Sequence, residues 1–147
     1  MDDFNKIVIP WIGKTAKMLD YYHTNELKSA GFDITKEQWL LLKALSLHDG
    51  ASQNELACFT ERDKTSMTRL VNTMEKKNLI ARIPSKEDKR INLLYLTKQG
   101  EKMLSETEQI RKNVISDLQN GLSDSEIETV INVLKKIQNN IKNTNGC

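Results

Sequence analysis

Apolar residues recur along this chain at helical spacing, interrupted once by a short stretch of strand character. Trp11, Ile12, Thr15, Met18, Leu19 and Tyr22 follow one another at three- and four-residue steps. Proline is tolerated in the first turn of a helix and disfavours helix at the residue before it, so Pro10 predicts a long helix over residues 10–30, closed by Gly31. Residues 2–9 add a turn or run extended. Thr35 with Gln38 three positions on is a capping box, and the run WLLLKALSL behind it is apolar on nearly every side. Such a helix is expected to be buried on most of its surface, at the centre of the domain. Asp49-Gly50 breaks it. Ser52 and Glu55 form a second capping box, which opens a short helix through Phe59.

The next helix divides cleanly. Asp63 suits an N-cap, because its carboxylate accepts from unpaired backbone N–H groups and favours the positive helix end. At 100° per residue, Met67, Leu70, Val71 and Met74 fall on one side. Thr65, Thr68, Arg69 and Asn72 fall about 160° away. Asn78 tolerates the left-handed conformation that ends a helix. Residues 79–83 and 91–96 are β-prone and flank a polar loop with Pro84, Ser85, Lys86, Glu87 and Asp88, which predicts a hairpin. Thr97 caps a further helix with Met103, Leu104, Ile110, Val114 and Leu118 as its stripe, closed by Gly121. Ser123 and Glu126 make a third capping box. Ile127, Val130, Ile131, Leu134, Ile137 and Ile141 then form a seam for another helix. The tail, residues 143–147, has no reason to be ordered.

With 147 residues, of which 38% are apolar and 29% charged, the chain suits one soluble domain over residues 1–147. No stretch approaches a membrane span, and the N-terminus lacks the layout of a signal peptide, so a cytoplasmic protein is expected. The net charge of +2 conceals an asymmetry. Residues 61–90 carry 9 Lys and Arg against 5 Asp and Glu, whereas residues 1–60 carry 6 against 8 and residues 91–147 carry 7 against 7. The positive excess therefore lies in the segment with the two-faced helix and the hairpin. Phosphate binding needs such a local basic surface rather than a basic protein.

Chemistry of other kinds finds little support. Cys58 and Cys147, even with His23 and His48, give neither a disulfide framework nor a zinc spacing. Cys58 follows Leu56 and Ala57 and is expected to be a small buried hydrophobe. His23 and Glu26 share a helix face as a surface pair. No phosphate loop, nucleophile elbow or His/carboxylate pairing is present, so neither enzymatic residues, a metal site nor a cofactor is expected.

A helix with a polar face, followed by a hairpin with a basic tip, is the outline of a winged helix-turn-helix, which puts one helix into the DNA major groove. Arg69 suits guanine and Asn72 adenine, while Thr65 and Thr68 suit thymine methyls or phosphates. Lys64 and Ser66 lie near the helix start, and Ser52, Gln53 and Asn54 open the preceding helix; both places suit phosphate contacts. In the loop, Lys86, Lys89 and Arg90 surround Asp88.

The order DKTSMTRLV, EKKNLI, then Asp88 and Arg90 two apart before LLYLTKQG resembles the MarR family of bacterial transcriptional regulators. The resemblance implies a mainly α fold with a small β-hairpin wing: a winged helix-turn-helix over residues 32–99, flanked by dimerisation helices in residues 1–31 and 100–147. It further implies a homodimer, a near-palindromic double-stranded DNA operator and a repressor role. Arg90 resembles the wing-tip arginine that enters the minor groove, and Asp88 its bracing partner. One branch of the family senses peroxides through a cysteine near the N-terminus, where this chain has none. Family members often take small phenolic or other aromatic effectors between the dimer helices and the DNA unit, and Trp11, Met18, Tyr21, Tyr22 and Trp39 are the candidates to line that space. The competing reading is a winged-helix module for protein contact without a specific DNA site.

Overall fold

The elements of the computed structural model, which describes residues 3–142, follow from local chemistry at their ends. After a 3-10 turn at Phe4–Lys6 come α1 (Val8–Ser29), α2 (Lys36–Leu47), α3 (Gln53–Phe59), α4 (Lys64–Lys76), β1 (Ile80–Pro84), β2 (Asn92–Leu96), α5 (Lys98–Leu118) and α6 (Asp124–Lys142). The fold is mainly helical with one antiparallel hairpin, as expected. All three capping boxes form: Thr35 with Gln38, Ser52 with Glu55 and Ser123 with Glu126 each exchange two hydrogen bonds of 2.7–3.2 Å. Each satisfies backbone donors that a helix start leaves unpaired. The Asp63 carboxylate accepts from the Ser66 N–H at 2.8 Å, and Asn78 closes α4 with φ +57°.

Three boundaries differ from expectation. Helix α1 begins at Val8, not Pro10; the proline stands third in the first turn, where a missing N–H costs nothing. The strands start one residue later, at Ile80 and Asn92, paired from Ile80 with Leu96 to Pro84 with Asn92. The Ile91 carbonyl instead closes the loop by accepting from the Ser85 N–H at 2.8 Å. Residues 143–147, the tail, lie outside the described residues.

The chain divides into two compact units, up to Val114 and from Ile115. The first holds the core, built on Leu27, Ile34, Trp39, Leu42, Leu45, Leu56, Met67, Met74, Leu79 and Leu94. Helix α2 packs against α1, α3 and β2, but Leu40 and Leu47 remain 42% and 68% exposed. Its burial is thus less complete than its composition suggests, because no element covers that edge within the first unit. The second unit comprises the end of α5, a turn at Gly121 with φ +82°, and α6, none of whose residues is buried.

Candidate nucleic-acid interface

Helix α4 is held by its apolar face. Met67, Val71 and Met74 are fully buried, and Leu70 is half-buried. Lys64, Thr65, Thr68, Arg69 and Asn72 are exposed. The Thr68 hydroxyl donates to the Lys64 carbonyl at 2.9 Å and accepts from Gln53 Nε2 at 2.9 Å. With the hydroxyl engaged both ways, Thr68 offers its methyl group, the partner for a thymine methyl. Ser66 Oγ accepts from Arg62 Nη1 at 2.5 Å, and Asn72 Oδ1 accepts from Arg82 Nη2 at 2.5 Å.

The start of α3 is fixed to the hairpin by backbone. The Gly50 N–H donates to the Leu94 carbonyl at 3.1 Å, and the Leu94 N–H to the Ala51 carbonyl at 2.9 Å, with Ser52 bridging Leu93 beside them. This brings Ser52, Gln53 and Asn54 together with Arg90, Ile91 and Asn92 around a polar recess of about 170 Å³. In the wing, the Asp88 carboxylate accepts from Arg90 Nε at 3.1 Å and from Nη2 at 3.0 Å, and Oδ1 also accepts from the Arg90 N–H at 3.0 Å. Ser85 Oγ accepts from the N–H groups of Glu87 and Asp88 at 3.2 and 3.5 Å. The Arg90 hydrogen bonds hold the Asp88 carboxyl below the usual carboxylate range, and Asp88 raises the Arg90 guanidinium in turn. Both groups stay charged near neutral pH. Lys86 and Lys89 are exposed on the same loop.

The candidate effector residues are not gathered. Trp39 is 3% exposed and belongs to the core; its Nε1 donates to Thr107 Oγ1 at 2.9 Å, and the Arg111 guanidinium lies 5.7 Å from its ring. Trp11, Met18 and Tyr21 are exposed on α1, and Tyr22 is half-buried. His23 is not a surface partner of Glu26: its ring packs 5.7 Å from that of Trp39, and its buried Nε2 has no hydrogen bond among the described residues. Burial, then Lys36 and Arg111, holds the His23 pKa below its ordinary value. Cys58 is half-buried rather than buried, because it stands one position past the inward-facing Leu56 and Ala57. Cys147 lies outside the described residues. No group of three or more His, Cys, Asp or Glu among the described residues is placed to hold a metal ion. No helix among them is long and apolar enough to cross a membrane.

The family model described as "MarR family" matches residues 34–91, from the end of the α1–α2 connection through the whole wing loop. Over these residues the chain is a MarR-family domain. It is 33% identical over 104 residues to a putative transcriptional regulatory protein for the hcr operon of Thauera aromatica, a match over 71% of this chain and 63% of that protein. It is 27% identical over 131 residues to the uncharacterized HTH-type transcriptional regulator YybA of Bacillus subtilis, covering 89% and 86% of the two chains. Among solved structures, a MepR–DNA complex of S. aureus superposes with a TM-score of 0.85 at 26% identity, over 92% of this chain and 98% of that one. Within this MarR-family unit, three polar residues escaped the sequence reading: Arg62, Arg82 and Asn92. Arg62 and Asn92 border residues already singled out. Arg82 lies in a β-prone run, where its sequence neighbours give no sign of its contact with α4.

Proposed function

We propose that this protein is a homodimeric transcriptional regulator, a repressor, that reads a near-palindromic double-stranded DNA operator through α4 and the wing. One observation carries the reading: the exposed polar face of α4, the opening of α3 and the root of the wing form one continuous surface, joined by the Gln53–Thr68 hydrogen bond and the recess shared with Arg90. In this reading Arg69, Asn72, Thr65 and Thr68 face base edges. Lys64, Ser66, Ser52, Gln53 and Asn54 meet phosphates, and Arg90 enters the minor groove with Lys86 and Lys89 beside it. That the S. aureus relative was crystallised with DNA supports it. A protein-docking face would present apolar residues at its centre.

Residues 32–99 form the DNA-reading part, and the helices in 1–31 and 100–147 hold two copies together. A small aromatic effector acts by changing the separation of the two reading units. Trp11, Met18 and Tyr21 become available to it where a second copy closes the space above α1. The site of action is the cytoplasm, where the operator is.

Arg69→Ala is expected to lose about 1–3 kcal/mol of operator affinity and to relax preference at a single base position. Lys64→Ala is expected to weaken all sequences alike and to lower the salt slope by about one unit. Binding titrations on operator and random DNA test both; equal weakening of the two DNAs by Arg69→Ala would remove it from base reading.

The wing gives a test of sign. Arg90→Ala is expected to fold normally, since exposed ion pairs add little stability, yet to bind the operator at least about tenfold more weakly. Asp88→Ala removes a negative charge, which simple electrostatics says should help DNA binding. The bidentate contact argues the reverse, because without it the arginine and the loop lose their set geometry. Weaker binding by Asp88→Ala supports the brace; tighter binding would make the carboxylate a bystander.

A further inference from the structure

Asn72 does not present its carboxamide in an arbitrary orientation. Its Oδ1 accepts from Arg82 Nη2 at 2.5 Å, across the gap between α4 and β1. Arg82 Nε also faces Glu75 Oε2 at 3.4 Å, one turn further along α4, and the arginine side chain is only 23% exposed. A guanidinium has donors and no acceptor, so the carboxamide atom that meets it is the oxygen. Turning that oxygen toward β1 turns the amino group away from it.

The consequence is chemical. Asparagine recognises adenine with both halves of the carboxamide, accepting from N6 and donating to N7. With its oxygen held by Arg82, Asn72 leads with two N–H donors. The matching major-groove pattern is a pair of acceptors, which guanine offers at N7 and O6. We infer that Arg82 is a positioning residue that fixes Asn72 donor-outward, so that Asn72 selects guanine rather than adenine. This rests on the proposed reading of α4 as the helix that meets the bases.

The test uses the full chain and an operator selected from a random DNA pool. Affinities are measured for that operator and for its single-base variants, with the wild type, Asn72→Ala, Arg82→Met and the double variant. Guanine is expected at the position that Asn72→Ala flattens, with roughly tenfold discrimination. Arg82→Met should lose preference for guanine over adenine at that same position, leave the other positions and the salt slope unaltered, and add nothing to Asn72→Ala in the double variant. Arg82→Lys, which keeps a cationic donor group, should retain part of the preference and stands in if Arg82→Met fails to fold. Adenine at the Asn72-dependent position would overturn the inference. So would additive losses, an Asn72→Ala variant with unaltered preferences, or an Arg82→Met variant that weakens all sequences alike with a salt slope lower by about one, the mark of a phosphate contact. A wild type with no base preference at any position would instead bring down the reading of α4 itself, and the inference with it.

Discussion

Gly100→Ala is expected to lower the melting temperature by about 4–8 °C, although alanine is the better helix former. Gly100 is buried in the first turn of α5. A Cβ there would lie 2.1 Å from the Leu79 carbonyl oxygen, 3.1 Å from its carbonyl carbon and 3.4 Å from Leu96 Cδ2. The obstacle is backbone, and that backbone is held on both sides. The Leu79 carbonyl accepts from the Thr97 N–H at 3.2 Å, the preceding Asn78 carbonyl accepts from Thr97 Oγ1 at 2.6 Å, and the Leu79 side chain is in the core. Helix propensity favours alanine by about 1 kcal/mol, whereas overpacking a rigid site costs up to about 3 kcal/mol or more. The clash should win by about 2 kcal/mol, which sets the shift given above. Thermal unfolding followed by circular dichroism checks the sign. A raised melting temperature would show that α5 can slide away from Leu79 and that the close approach carries no constraint.

That glycine also shows where the sequence stops being legible. Capping boxes are local: donor and acceptor lie three residues apart, so Thr35, Ser52 and Ser123 announced their helices before any fold was known. The two faces of α4 were legible for the same reason, since its buried and exposed residues follow helical periodicity. The Asp88–Arg90 pair is a two-residue spacing and stood out within the loop. Gly100, Arg82 and Trp39 owe their roles to partners 21, 10 and 68 positions away. No periodicity carries that information. Gly100 reads as an unfavourable helix residue until Leu79 is seen against it. Arg82 reads as part of a strand until Asn72 is seen beside it. Trp39 reads as a companion of the α1 aromatics until Thr107 and Arg111 of α5 are seen to claim it for the core.

Ile131→Asp is expected to turn a dimer into monomers and to cost about 10²–10⁴-fold in affinity for a full palindrome. Helix α6 buries none of its residues, while Val130, Ile131, Val133 and Ile141 are 56%, 45%, 41% and 56% exposed. A helix with several apolar residues exposed lacks the burial that normally stabilises it, and in the proposed dimer a second copy of the chain would supply that burial by symmetry. A carboxylate placed in such a seam must be desolvated without a partner, which costs several kcal/mol, more than one apolar contact returns. The buried core and the residues packed against it end at Val114, before α6 begins, so the winged part should keep its fold in the variant. The two losses can therefore be separated. Affinity for a single half-site should match the wild type, because α4 and the wing are untouched. Affinity for the palindrome should fall to the half-site value, because the second contact no longer gains from being tethered to the first. Sedimentation of the wild type at micromolar concentration should show a dimer. A stable wild-type monomer would overturn the dimer, whereas an Ile131→Asp variant that remains dimeric would place the contact between copies somewhere other than α6. Loss of half-site binding by the variant would mean that α6 supports the fold of the reading unit rather than the pairing of two units.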